Sequence, residues 1–197
     1  MTVASNDMST PPDADQLNEE TIESKTIYSG KILGLRRDTV KIPDGKVAIR
    51  EIVEHGGAVG IVAFTDEGKI ILVKQFRKAT NRDLIEIPAG TLEKGEEPIH
   101  CASRELEEET GYVASTIKPV LSFYLAPGYS TELMHIFFAN DLRKTRQRLE
   151  DDEALELIEV DLDEAISMVK RNDIEDAKTI TSLLAAKFLF QHNLDSA

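Results

Sequence analysis

Three glutamates near the middle of the chain have residue types and spacing that suit divalent-cation chemistry. Glu105, Glu108 and Glu109 stand at positions i, i+3 and i+4, so on a helix their carboxylates project from one face. Like charges at this spacing repel one another, and the negative end of the helix dipole adds to the repulsion. The segment 86–111 holds eight acidic residues and only two basic ones. A divalent metal would resolve this conflict, and oxygen ligands select Mg²⁺ or Mn²⁺.

The register around these glutamates is more specific than the acidic triplet, which by itself is typical of a solvated helix face. Over residues 90–111 the order is Gly, five spacers, Glu, seven spacers, Arg-Glu-aliphatic, one spacer, Glu-Glu, one spacer, Gly. This order resembles the signature of the Nudix hydrolase family. Tyr112 departs from the aliphatic residue that the signature prefers next, at a position expected to serve packing.

The resemblance implies a strand–loop–helix–loop motif and hydrolysis of a nucleoside diphosphate linked to another group. Carried over residue by residue, it makes Glu105 and Glu109 the principal metal ligands, with Glu108 sharing the site and the backbone carbonyl of Ala89 as a main-chain ligand. Two or three Mg²⁺ ions, or Mn²⁺ in their place, would occupy such a site. The signature residues with structural roles are Gly90, permitting a close turn, Glu96 and Arg104, an internal ion pair, and Gly111.

Further segments resemble the ADP-ribose pyrophosphatase branch of this family. A proline stands 16 residues after the last glycine of the signature, within residues 126–132. The other segments that resemble this branch are 50–59, 73–77 and 176–179. The resemblance then covers about residues 25–190 and implies cleavage of ADP-ribose to AMP and ribose 5-phosphate.

The same branch implies the residues that bind the substrate. An arginine at the position of Arg77 contacts the diphosphate, and bidentate guanidinium–phosphate geometry explains why arginine suits this task. The N-terminal strands would exchange across a homodimer and help to build the partner's adenine pocket. The substrate-binding candidates are Tyr28, by stacking on adenine, Arg50, Glu51, Arg77, Pro127, Gly128 and Glu132.

An acidic loop near the end of the chain offers a general base. Residues 147–154 precede an alternating strand at 154–160, and in the pattern of the branch an acidic residue directly before such a strand is the base. This points to Glu153, with Asp151 as the alternative. Glu108 of the signature completes the catalytic candidates.

The elements that must position these residues mix strands and helices irregularly. Period-two alternation predicts strands and a hairpin at Asp44-Gly45 within residues 26–55. Further predicted strands are 59–64, 70–76, 84–87, 119–124 and 133–139, and predicted helices are 97–110, 163–170 and 176–192. The mixture predicts an α/β (α+β) Nudix fold, with a mixed β-sheet sandwiched between helices and a small N-terminal antiparallel β domain.

Composition limits the class of function and the compartment. A net charge of −13 argues against a nucleic-acid polymer held by basic residues, and the apolar runs are too short for a membrane span. The single cysteine, Cys101, cannot form an internal disulfide, and the N-terminus carries no secretory signal, so we expect a cytoplasmic protein. We expect residues 1–20 to be a flexible tail, 21–57 the dimerisation and adenine-site domain, and 58–197 the hydrolase domain.

Two other functions remain open. A broader sugar-nucleotide or NADH pyrophosphatase keeps the chemistry and changes the leaving group, but the offset of the proline argues for ADP-ribose. A non-catalytic ADP-ribose sensor would have an eroded signature, whereas every catalytic position of the signature is intact. The expected partner is a small nucleoside diphosphate bound by a homodimer, without nucleic acid or membrane.

Overall fold

The computed structural model of the chain describes residues 17–149 and 154–189. Its contacts divide the chain into two compact units, one up to Glu54 and one from His55 onward. Most of the expected tail, residues 1–16, lies outside the described residues.

The N-terminal unit is a three-stranded sheet in the order β1-β2-β3. Its strands are β1 (Glu20–Ser29), β2 (Leu33–Lys41) and β3 (Val47–His55). The hairpin predicted at Asp44-Gly45 is confirmed: Gly45 has a φ of 85°, and the N–H of Ile42 donates to the carbonyl of Lys46 at 2.9 Å. Every residue of β1 is exposed, whereas Asp38 and Val40 on β2 are buried.

The second unit is built on a seven-stranded mixed sheet in the order β10-β5-β4-β9-β8, with β6 beside β5 and β7 beside β4. The strands are β4 (Ala58–Phe64), β5 (Lys69–Arg77), β6 (Arg82–Glu86), β7 (Ala89–Thr91), β8 (Tyr112–Tyr124), β9 (Leu133–Lys144) and β10 (Leu155–Asp161). The pair β4 and β9 is parallel, whereas β8 and β9 are antiparallel. All residues of the central strand β4 are buried, because both faces of the sheet are covered.

Three helices cover the two faces of this sheet: α1 (Pro98–Thr110), α2 (Leu162–Lys170) and α3 (Ala177–Phe188). Alternate side chains of β4 pack into two different hydrophobic cores, one on each face of the sheet. One core, with α1, contains Val59, Ile61, Ala63, Cys101, Ala102 and Leu106. The other, with α2 and α3, contains Val62, Phe64, Ala165, Ile166, Leu183 and Ala186. The predicted mixed sheet between helices is therefore confirmed.

The largest difference from the predicted elements is at β8. This strand begins at Tyr112, directly after α1, seven residues earlier than predicted, and Pro119 lies inside it. A proline has no N–H to donate to a neighbouring strand, so it is normally predicted at the beginning of a strand and not inside one. Here the register shifts between Pro119 and Leu121, and this irregularity lets the strand continue past the proline.

At the end of α3 the predicted residues 190–192 lie outside the described part of the chain. No helix in residues 17–149 and 154–189 is long and apolar enough to span a membrane.

Candidate active site

Helix α1 carries the predicted acidic residues Glu105, Glu108 and Glu109 in its second half. Pro98 occupies the first turn, where a proline is tolerated, and Gly111 ends the helix in the left-handed region with a φ of 69°. Apolar contacts of Ala102 and Leu106 pack the helix against the sheet. Glu109 is buried as well, whereas Glu105 and Glu108 are partly exposed.

Two of the predicted metal ligands lie against the backbone of β7. The N–H of Ala89 donates to Glu109 Oε2 at 3.0 Å, and Glu109 is almost fully buried. A Cβ at Gly90 would lie 2.0 Å from both Cδ and Oε1 of Glu105. Gly90 does not have a positive φ, so the close approach of Glu105, rather than a left-handed turn, requires glycine here.

Arg104 contacts three carboxylates of the signature. Its Nε and Nη2 donate to the two oxygens of Glu96, each at 3.0 Å, and its Nη1 donates to Glu105 at 2.6 Å and to Glu108 at 3.1 Å. Hydrogen bonding to Arg104 lowers the pKa of Glu96 to about 2, and the same bonds raise the pKa of Arg104. One guanidinium thus ties the loop before α1 to the acidic face of the helix.

The donor chemistry of this acidic face fits a hard divalent cation, because its side-chain donors are carboxylate oxygens beside a strand backbone. Among the residues that the structure describes, no three acidic, histidine or cysteine side chains converge on one metal-binding point. Contacts with Arg104 and with the N–H of Ala89 take up carboxylate oxygens of the same cluster. A bound cation would have to compete with these two partners for its ligands.

Arg77, predicted to bind the diphosphate, is held by a buried glutamate. Its Nε and Nη2 donate to Glu86 Oε1 at 2.8 Å and Oε2 at 2.7 Å, and Glu86 is 1% exposed. Burial acts to raise the pKa of Glu86, but hydrogen bonds from Arg77 and the charge of Lys178 outweigh it, so the pKa lies below its usual value. The carboxylate therefore stays ionised and fixes the guanidinium.

Sequence reasoning missed Lys178 as a site residue, although it noted residues 176–179. Lys178 is 7% exposed and donates to Glu86 and, at 3.0 Å, to Asp176. A signal was available in the sequence, because the residues at i+4 and i+7 from Lys178 are the small residues Ser182 and Ala185. Both are buried in the structure. Small residues on the lysine's own helix stripe indicate that the stripe packs inward.

The segment after β9 is docked on the end of α1, which the sequence did not predict. The N–H of Thr145 donates to the carbonyl of Gly111 at 2.7 Å, and the N–H of Arg148 donates to the carbonyl of Glu108 at 3.0 Å. The side-chain amide of Gln147 donates to the carbonyl of Glu109. These bonds satisfy carbonyls that a helix end leaves without partners.

The two candidate bases, Asp151 and Glu153, follow this docked segment and lie outside the described residues. The structure describes the chain again from residue 154, just before β10.

The loop between β8 and β9 carries three of the predicted substrate residues. Pro127 and Gly128 are exposed and Glu132 is half-buried. The carbonyl of Ala126 accepts from the N–H groups of Tyr129 and Ser130, at 3.1 and 2.9 Å, which closes a turn around the proline. Their role in substrate binding stays a prediction.

The remaining predicted substrate residues belong to the N-terminal unit. The ring of Tyr28 lies over Gly30, where a Cβ would be 2.6 Å from the ring, and 56% of Tyr28 is exposed. Arg50 forms an ion pair with Glu19, and Glu51 is exposed. Their contribution to an adenine pocket also stays a prediction.

Cys101 can be set aside as a nucleophile. It is fully buried between α1 and the sheet, and burial raises the pKa of its thiol to about 12. Because the thiolate is the reactive form, this cysteine is inert at neutral pH.

Comparison with known proteins identifies the family of the chain. The family model described as "NUDIX domain" matches residues 54–183, and "Nucleoside diphosphate sugar hydrolase N-terminal domain" matches residues 19–53. The chain is 49% identical to "ADP-ribose pyrophosphatase" of Bacillus subtilis, over 83% of this chain and 89% of that protein. It is 44% identical to "Methanol dehydrogenase activator" of Bacillus methanolicus, over 84% and 90%.

A solved structure titled "Crystal structure of ADP compounds hydrolase" shares the fold, with a TM-score of 0.81 at 20% identity, over 92% of this chain and 98% of that one. With the signature on α1 and the match of most of the second unit, the chain belongs to the Nudix hydrolase family.

Proposed function

We propose that this chain hydrolyses the diphosphate bond of ADP-ribose, releasing AMP and ribose 5-phosphate. The observation that carries the proposal is the acidic face of α1 held against the backbone of β7, with Glu109 bonded to Ala89 and Glu105 over Gly90. The substrate is supported by the 49% identical relative named for this activity and by the proline at position 127.

The residues that would hold a divalent cation are Glu105, Glu108, Glu109 and the carbonyl of Ala89. We propose Mg²⁺, with Mn²⁺ as a substitute, at two or three ions per site. When bound, the metal offsets the charge of the diphosphate oxygens and makes phosphorus more electrophilic.

The chain's own residues perform the remaining steps. Arg77, oriented by Glu86, donates to the diphosphate oxygens through the guanidinium edge that Glu86 does not occupy. Glu153, or Asp151 in its place, accepts the proton of the attacking water. The water oxygen forms the new bond to phosphorus, the bridging oxygen leaves with one product, and AMP and ribose 5-phosphate dissociate.

We also propose that the enzyme acts as a cytoplasmic homodimer. The N-terminal unit would supply Tyr28, Arg50 and Glu51 to the adenine pocket of the partner. The fully exposed strand β1, which carries apolar side chains such as Ile22 and Ile27, supports a role in association.

The experiment is an assay of AMP or GMP release in Mg²⁺ from ADP-ribose, ADP-glucose, NADH, GDP-mannose and dinucleoside polyphosphates. We expect ADP-ribose to have the highest kcat/KM and EDTA to abolish turnover. A clear preference for another compound would assign the broader pyrophosphatase function. ADP-ribose binding without turnover of any compound would assign a sensor.

A further inference from the structure

A buried ion cluster behind Arg77 includes Lys178 and Asp176, which take no part in the steps described above. Its centre is the ion pair between Glu86 and Lys178, which are 1% and 7% exposed. Arg77 is the more accessible member, with 40% of its side chain exposed, and Asp176 accepts from Lys178 at 3.0 Å. One buried carboxylate is thus shared by two cations.

The bonding leaves one edge of the Arg77 guanidinium available. Nε and Nη2 donate to Glu86, and in the part of the chain that the structure describes no residue accepts from Nη1. The charge of Glu109 contributes to the raised pKa of Arg77, after the larger effect of the Glu86 bonds. The guanidinium is therefore within electrostatic reach of the acidic face of α1.

The charges of the cluster explain why a second cation is useful there. The pair of Arg77 and Glu86 is neutral as a unit and would attract a diphosphate weakly. Lys178 makes the three groups together cationic. With Asp176 the four groups are formally neutral, but Asp176 also caps α3. Its Oδ2 accepts from the N–H of Thr179 at 2.9 Å, and the positive end of the helix dipole offsets part of its charge.

The cluster is also bonded to the strand that leads into the site. Thr179 Oγ1 accepts from the N–H of Ile87 at 2.9 Å and donates to Asp176 at 2.6 Å. Ile87 follows Glu86 and lies two residues before Ala89. The start of α3 and the chain entering β7 are therefore held in one hydrogen-bonded arrangement.

We propose that Lys178 is a positioning residue for the diphosphate. It offsets the charge of Glu86, so that Arg77 stays oriented by this carboxylate while its positive charge remains available to the substrate. This inference rests on the proposed function, which brings a diphosphate to Arg77.

The first variant is Lys178→Met, which removes the charge and retains most of the side-chain volume. We expect KM for ADP-ribose to rise about tenfold while kcat changes by less than about threefold, because uniform binding of the diphosphate is lost. The matched control is Lys187→Met on the same helix, since Lys187 forms an ion pair with Asp163 at 2.8 Å. We expect the control to retain the KM of the wild type.

The second variant is Lys178→Gln, which removes the charge but keeps a hydrogen-bond donor for Glu86, so it keeps the test valid if Lys178→Met does not fold. We expect its KM to rise about tenfold as well. Lys178→Arg keeps the positive charge, and we expect its KM to lie within about threefold of the wild-type value, the range of an ordinary context effect. A wild-type KM in Lys178→Gln, a tenfold rise in Lys178→Arg, or an equal rise in Lys187→Met would overturn the proposal.

Titration with inorganic pyrophosphate in Mg²⁺ separates this proposal from the choice of substrate. We expect Lys178→Met to weaken pyrophosphate binding about tenfold and Lys178→Arg to retain it. An affinity that Lys178→Met leaves unchanged contradicts the role of Lys178, whichever nucleotide the wild type hydrolyses. Weakened pyrophosphate binding without ADP-ribose turnover would support Lys178 and refute the proposed substrate.

Discussion

At the scale of single residues, one arginine organises the acidic face of α1. Arg104 binds Glu96 through two nitrogens and reaches Glu105 and Glu108 through the third. The carboxylates sit side by side because a fixed guanidinium offsets their repulsion. Gly90 makes the second contribution, since only a residue without Cβ lets Glu105 lie on the strand.

Gly90→Ala tests that close approach. The new Cβ would meet Glu105 at 2.0 Å, so we expect the carboxylate to move and turnover to fall by about 10²-fold, as for other small misplacements of catalytic groups. The control is Gly56→Ala, whose Cβ would meet nothing closer than 3.8 Å. The measurement is the steady-state rate of each variant, and their melting temperatures are compared to confirm that both are folded. Equal rates in the two variants would refute the role given to Gly90.

Glu96→Gln tests the ion pair through its pH dependence. The pKa of Glu96 is lowered from 4.5 to about 2 in the folded chain, so its stabilisation is fully present above pH 4.5 and is lost as the pH falls toward 2. At pH 7 we expect the wild type to unfold at a higher urea concentration than the variant. We expect this difference in the midpoint of unfolding to become smaller at pH 4 and smaller again at pH 3. A difference that stays constant over this range would contradict the assignment.

Glu153→Gln tests the proposed base. Loss of a general base should lower kcat by about 10²–10⁴-fold while metal affinity, measured by calorimetry, stays close to the wild-type value. Asp151→Asn is the parallel variant, and the exposed Glu156→Gln on β10 is the control. If Asp151→Asn has the large effect and Glu153→Gln does not, the base is Asp151.

At the scale of elements, the C-terminal end of α1 is bonded to the segment that leads to the candidate base. Gly111 ends the helix, and its carbonyl accepts from Thr145 while Arg148 caps the carbonyl of Glu108. A Cβ at Gly111 would lie 2.7 Å from the backbone nitrogen of Gln147. Glycine is therefore required twice, once for its positive φ and once for this packing.

Gly111→Ala should destabilise the fold more than its backbone conformation alone explains. Gly68→Ala is the control, because Gly68 has a similar φ of 77° but open space around its Cβ position. We expect a loss of about 1–2 kcal/mol in the control and about 2–4 kcal/mol in Gly111→Ala, from left-handed strain and overpacking. Urea unfolding measures the free energy of unfolding of both variants. Equal losses of stability would mean that the segment around Gln147 moves away from the new Cβ without a cost in free energy.

At the scale of the whole molecule, the two compact units differ in how they bury their surfaces. The sheet of the second unit is covered on both faces by helices, and its central strand is fully buried. In the N-terminal unit, the apolar residues Ile22, Ile27, Val47 and Ile49 are each at least 49% exposed within a single chain. Exposed apolar surface of this extent is typical of an interface.

The proposed homodimer would have a mass in solution of twice the 21.9 kDa of the chain. Sedimentation equilibrium at several concentrations measures it directly. Ile27→Glu, which places a charge on the exposed strand β1, should shift the equilibrium toward the monomer. A monomer at all concentrations in the wild type would refute the dimer and the shared adenine pocket.

The sequence alone determined the signature, the helix that carries it and the class of fold. Helix α1 was predicted within one residue at its start, because proline, apolar period and terminal glycine are local signals. The early start of β8 was not predictable in this way, since its pairing with β9 and the irregularity near Pro119 depend on residues distant in the chain.

Only the tertiary structure decided which partners the charged residues have. Arg77 and Lys178 are about a hundred residues apart in sequence and meet at Glu86, a contact that no local pattern encodes. The reason is physical: a buried charge must find its counter-charge wherever the packing of strands and helices places one. The local spacing of residues predicted the chemistry, and the long-range packing determined how its groups are held.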